Sequence, residues 1–249
     1  MSIAFAPERV IYPDSDGKPM AENTLQYLWI VTIQGNLSAL FRERADVFVA
    51  GDNLIYPVQG SPEICLAPDV YVAFGRPKGV RGSYKVWDEG GIFPQAIFEI
   101  RSPSNTAKEM REKLAFYEKH GAQEYYDYDP DRHKLRGYRR QGRKLIEIDE
   151  MDGWVSPLLG IRFQFDTEVF ALLRPDGSRF LTFDEMEDDR VAERERAEAA
   201  EKKARAEFRR ANKQEQRAEE AEAKAHLEAQ RAEKFRKKML ELGLDPEAE

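Results

Sequence analysis

Cysteine is nearly absent: Cys65 is the only one in 249 residues. No intrachain disulfide can form, and a reducing, cytoplasmic setting is expected. The opening Met1-Ser2-Ile3-Ala4-Phe5 lacks a basic stretch followed by a long apolar core, so no signal peptide is expected. No run approaches about 18 uninterrupted apolar residues, so no membrane span is expected. The three histidines, His120, His133 and His226, lack the spacing of a metal-ligand set. The glycines from Gly75 to Gly82 do not form a phosphate-cradling loop. Positive charge is not in excess either: 39 Lys/Arg face 46 Asp/Glu, a net charge of −7.

The charge that is present is unevenly placed. At 34% charged and 41% hydrophobic, the chain is too charged for one well-packed body of this length. Residues 189–249 hold 16 Lys/Arg and 16 Asp/Glu, so residues 1–188 carry 23 positive and 30 negative side chains and the whole net charge. Two parts are therefore expected: a folded domain over 1–188 and a charged helical tail over 189–249. A body of this sign has no general attraction to a phosphate backbone. Nucleic-acid binding there needs a local basic patch, metal ions or a partner.

Along the body, the turn-rich Tyr12–Pro19 region precedes an expected helix over 21–43, with Leu25, Leu28, Trp29, Val31, Ile33, Leu37, Leu40 and Phe41 on its apolar face. Strands are expected over 46–50, 54–56, 67–74 and 95–101, with residues 75–94 as a long loop carrying five glycines. Thr106 and Glu109 form a capping-box pattern for a helix over 107–120 that Gly121 ends. A strand over 124–128 makes this a strand–helix–strand crossover. A hairpin about Gln141-Gly142-Arg143 follows, then a strand over 161–165 and a short element near 169–173. In the tail, alanine recurs every seven residues from Ala197 to Ala232, with Met239 next. The positions three further on are mixed: Ala200, Glu207, Gln214, Ala221, Glu228, Phe235 and Leu242. This rhythm suits either a weak coiled-coil seam or a solvated single helix held by acid–base pairs four residues apart.

Two acids stand out by position. Asp69 opens one strand, and Glu99 lies inside another between Ile97, Phe98 and Ile100. A carboxylate within an apolar strand is costly unless paired or bound to a metal. Two carboxylates with waters and a phosphate oxygen are a common way to hold Mg2+. Such a site can activate water for phosphodiester hydrolysis. A cation for the developing charge can come from Arg101, two residues beyond Glu99, or from Lys113 on the next helix. Plainer readings stand beside these: Asp69 as a turn residue, Glu99 as half of an ion pair with Arg101 or Lys113, and Lys113 as a surface partner of Glu109. Tyr117, Tyr125 and Tyr126 read as core aromatics.

Pro68-Asp69-Val70, Phe98-Glu99-Ile100-Arg101-Ser102-Pro103-Ser104-Asn105-Thr106, Glu109…Lys113-Leu114-Ala115-Phe116-Tyr117 and Gly121-Ala122-Gln123-Glu124-Tyr125-Tyr126-Asp127-Tyr128-Asp129-Pro130 together resemble a large bacterial family of restriction-endonuclease type within the PD-(D/E)XK nuclease superfamily. The resemblance covers roughly residues 12–185. It implies an α/β (α+β) restriction-endonuclease-like core, a mixed central sheet flanked by helices, followed here by the long charged helix. It implies Mg2+, with Mn2+ able to substitute, held by Asp69, Glu99 and the carbonyl of Ile100. The superfamily lysine usually sits two beyond the acid, where this chain has Arg101; in this family it has moved to the next helix, which matches Lys113. Glu22 matches an acid carried on the first helix of many such nucleases. DNA is the implied substrate, and a homodimer is consistent with cutting two strands. The competing expectation is an inactive nuclease-fold module that meets DNA or a protein partner through its helical tail.

Overall fold

A computed structural model describes residues 10–17, 19–166 and 170–241. The chain divides into two compact units, Met1–Glu185 and Met186–Glu249. The first helix, α1, is Thr24–Leu40. It starts later than the hydrophobic pattern predicts because Asn23 caps it, its side chain accepting the Gln26 N–H at 2.8 Å. Ala21 and Glu22 therefore precede the helix. Its buried stripe is Gln26, Ile30, Ile33 and Leu37, whereas Leu25 and Leu28, expected inside, are 38% and 43% exposed.

Strands β1 (Val47–Ala50), β2 (Ile55–Tyr56), β3 (Val70–Phe74), β4 (Tyr84–Lys85) and β5 (Ala96–Ile100) follow. Then come helix α2 (Ala107–His120), β6 (Glu124–Asp129), β7 (Lys134–Gln141), β8 (Lys144–Glu147), β9 (Arg162–Phe165), β10 (Phe170–Leu173) and helix α3 (Phe183–Glu241). Val169 and Leu242, which the sequence placed in elements, lie outside the described residues. Six strands form one mixed sheet in the order β1-β3-β5-β6-β7-β8, antiparallel except for the β5–β6 pair. That parallel pair is the predicted crossover, joined by α2, whose cap Thr106 and left-handed Gly121 stand where expected. The expected loop over 75–94 contains β4, which pairs parallel to β2 outside the main sheet. Glu89 ties that segment to Arg76 and Arg81 at 2.8 and 2.6 Å.

Strand alternation sorts the core into two layers. Val70, Val72, Ala96, Phe98 and Ile100 pack with Ile30, Ile33 and Leu37 of α1. Tyr71, Ala73, Ile97 and Tyr125 pack with Tyr117 of α2. The parity of Ile97 puts Glu99 on the α2 side. All five β5 residues are buried, as suits a strand covered on both faces.

The second unit continues as α3. Within the first unit, Thr182 and Glu185 exchange backbone and side-chain bonds at 2.8 and 3.3 Å, a capping box that starts the helix. Every side chain over 193–238 is exposed.

Candidate active site

Asp69 sits between Pro68 and the first residue of β3. Its placement depends on Gly51: a Cβ there would lie 2.1 Å from the Asp69 carbonyl oxygen, so only glycine lets the two backbones approach. Asp69 Oδ2 accepts the N–H of Ile100 at 2.6 Å, which fixes one carboxylate beside the end of β5. Glu99, 1% exposed, is the neighbouring residue on that strand. Its Oε2 accepts from Lys113 Nζ at 2.7 Å and its Oε1 from the Tyr117 hydroxyl at 2.5 Å. Lys113 and Tyr117 are four apart on α2 and so share a face.

The electrostatics follow from this crowding. Burial and the charge of Glu99 push the Asp69 carboxyl well above the usual carboxylate range, against the pull of Lys113 and the Ile100 N–H. Burial works against the charge on Lys113, but Glu99 and then Asp69 outweigh it, so its pKa is raised. Burial, reinforced by Glu99, also raises the Tyr117 phenol well above normal, which keeps it a hydrogen-bond donor. Two carboxylates thus share one ammonium ion, and the site is short of positive charge.

The Ile100 carbonyl accepts from Gln26 Nε2 at 2.8 Å, and Gln26 Oε1 accepts the Glu22 N–H at 2.9 Å. Gln26 therefore links α1, Glu22 and the end of β5, a role that sequence reading missed. Its one signal is a polar residue on the stripe that otherwise continues through Ile30, Ile33 and Leu37. Tyr117 was also missed as a site residue, because its buried aromatic ring satisfies the core reading by itself. Glu22 is exposed and accepts from Ser104 Oγ at 2.5 Å; hydrogen bonds from Ser104 and Ser102 lower its pKa. Arg101 pairs with Asp127, the residue beside Glu99 in the β5–β6 register, through Nε to Oδ1 at 2.6 Å and a second bond from Nη2. The structure brings Asp69, Glu99, Ile100 and Lys113 together; Glu22 joins through Gln26, and the Arg101 guanidinium is engaged by Asp127.

Asp69, Glu22, Gln26, Glu109 and Lys113 line an open cleft of about 870 Å3. Seven carboxylates and one lysine are among its lining residues. Among the described residues no three His, Cys, Asp or Glu side chains form a ready metal cluster. A hard divalent cation still fits the donor set. Mg2+ is usually bound by one or two carboxylates, with water and substrate oxygens completing the shell. The mutual repulsion of Asp69 and Glu99 is what such an ion would relieve.

The family model described as "Uma2: Putative restriction endonuclease" matches residues 9–169, more than half of the chain. Among solved structures, the crystal structure of "a putative nuclease belonging to DUF820" from Anabaena variabilis is similar. It is 18% identical, the match covers 57% of this chain and 77% of that one, and the TM-score is 0.41. No curated protein matches.

Proposed function

Given that this chain belongs to the Uma2 family, of restriction-endonuclease type, we propose that it is a Mg2+-dependent endonuclease hydrolysing DNA phosphodiester bonds. The observation that carries this reading is the convergence of Asp69, Glu99 and Lys113, with Asp69 held to Ile100 N–H and Lys113 to Glu99. Asp69, Glu99 and the Ile100 carbonyl would hold Mg2+, with Mn2+ able to replace it. Such an ion would neutralise phosphate charge and make water easier to deprotonate.

The chain's own residues supply the rest. Lys113 keeps its proton at Nζ, so its part is to stabilise charge developing on the phosphate rather than to act as a base. Tyr117 and Lys113 together hold Glu99 in one orientation. Gln26 does the same for the Ile100 carbonyl. Glu22, exposed at the cleft, is a further carboxylate for water or a second ion. Arg101 contributes by holding Asp127 beside the site. No helix among the described residues is long and apolar enough to cross a membrane. The single Cys65 suits a reducing, cytoplasmic setting, and cutting two strands suits a homodimer.

The test is cleavage of plasmid and oligonucleotide duplexes in Mg2+ or Mn2+ beside Glu99→Ala. The expected result is metal-dependent cleavage by the parent and none by the variant. Cleavage that survives Glu99→Ala would sink the site. No cleavage by either protein, with no metal bound in titration calorimetry, would favour an interaction module instead.

A further inference from the structure

From residue 196 to residue 238, one register of α3 is basic at every position; the place one heptad earlier is Asp189. Arg196, Lys203, Arg210, Arg217, Lys224, Arg231 and Lys238 follow one another at intervals of seven, and all are exposed. Residues 196–238 as a whole hold 14 Lys/Arg against 9 Asp/Glu. The ion pairs described on the helix use other residues: Arg190 with Glu187, Arg194 with Glu198, and Arg205 with Glu201. Among the described residues none of the seven stripe cations is in an ion pair.

At about 1.5 Å per residue the charges are spaced about 10.5 Å apart over about 63 Å. A repeat of seven drifts about 20° per heptad around a straight helix, so about four successive charges stay on one side. A second copy of the helix is a poorer occupant. Antiparallel pairing would set the basic register against itself. Parallel pairing would set Glu207 and Glu228 against their own copies at the seam. A membrane is poorer too, because the exposed Phe208, Leu227 and Phe235 occupy three different registers rather than one apolar face.

We propose that this stripe is a surface for the phosphate backbone of duplex DNA, which holds the substrate on the same chain as the acidic cleft. The proposal rests on the phosphodiesterase reading, and it answers a difficulty in it: a body of net charge −7 does not draw in a polyanion. Covalent tethering raises the local substrate concentration without any new contact at the cleft.

The test uses the full chain, a fluorescent 40-base-pair duplex and EDTA, so that binding is read without metal or cleavage. Arg196, Lys203, Arg210 and Arg217 are replaced together by glutamine, which keeps helix propensity; circular dichroism checks the helix. A control quartet replaces Arg194, Arg205, Lys213 and Lys234, with the same change in net charge. With about four phosphates neutralised, log affinity should fall with log salt at a slope of about −3 to −4, on the order of 100-fold between 50 and 200 mM. The stripe quartet should remove most of that slope and weaken binding at least tenfold at the lower salt, and the control quartet should not. Equal losses in both quartets, no loss in the stripe quartet, or stripe-dependent binding to phosphatidylserine vesicles or polyglutamate without duplex binding would each overturn the proposal. Stripe-dependent binding without cleavage in Mg2+ would instead count against the nuclease reading alone.

Discussion

Two glutamates lie on adjacent strands of the sheet, each 1% exposed, and each accepts a tyrosine hydroxyl. Glu99 on β5 faces α2, and Glu124 on β6 has the parity of the opposite layer. Glu124 takes its hydrogen bonds from Tyr126 at 2.9 Å, Ser156 at 2.5 Å and the Leu158 N–H at 3.2 Å. No ion pair among the described residues includes it. Glu99 takes its bonds from Tyr117 and Lys113 and shares its neighbourhood with Asp69, a second carboxylate at an open cleft. Both carboxylates are satisfied, as buried polar groups must be. Burial alone therefore does not mark a site. What sets Glu99 apart is a like charge beside it and a cation already drawn in, with Asp69 and Lys113 both lining an open cleft.

The strongest way to break this contrast is to exchange the two acids for amides. Glu99→Gln should lower metal-dependent cleavage at least about 100-fold, because it removes a ligand charge where even an outer partner of a ligand is worth 10–100-fold. Glu124→Gln should leave cleavage intact. Its cost is in stability, on the order of 1–3 kcal/mol for donors left facing an amide N–H2. Thermal unfolding and an initial-rate assay on the same preparations separate the two effects.

The tyrosines offer the same contrast at smaller size. Tyr117→Phe should weaken metal binding by roughly 10-fold by freeing Glu99 to turn. Tyr126→Phe should cost about 1 kcal/mol of stability and leave metal binding unchanged. Equal metal affinities in both variants would remove Tyr117 from the site.

Asp69→Asn tests the crowding of charge. The folded-state pKa of Asp69 lies above its unfolded value near 3.8, so the folded chain holds this proton more tightly. Its contribution is therefore fully favourable below about pH 3.8 and is lost as pH rises through the raised pKa. The amide can still accept the Ile100 N–H. At pH 7–8 without metal, Asp69→Asn should therefore raise Tm, by about 2–4 °C per kcal/mol relieved, while abolishing cleavage. A fall in Tm would show that the carboxylate is stabilising as it stands. Gly51→Ala should cost about 1–3 kcal/mol, because its Cβ must push the Asp69 backbone aside. Cleavage should drop more than stability suggests, because the displaced group is a ligand.

Of the sheet's central strands, β5 was legible as a near-continuous apolar run, and β6 through its three tyrosines and the Asp129-Pro130 stop. The Thr106 cap and Gly121 marked out α2 between those strands, and the family resemblance singled out Lys113 on it. The choice of partners was not legible. Arg101 and Lys113 are both cations within reach of Glu99 in sequence, and only the pairing of Glu99 with Asp127 across β5 and β6 explains why Arg101 is occupied elsewhere. Glu22 lies ahead of α1 rather than in it because Asn23 caps the helix, and the apolar pattern alone does not show where a cap stands. Gln26 could not be recognised without knowing which carbonyl it meets. The strand β4 was hidden inside a glycine-rich stretch because two residues are too few to show alternation.

The account is tested most directly by titrating Mn2+ into the metal-free full chain by calorimetry, beside Glu99→Gln and Glu124→Gln. It predicts binding by the parent and by Glu124→Gln, and loss of that binding in Glu99→Gln with its fold retained. The same binding isotherm for all three proteins would contradict it.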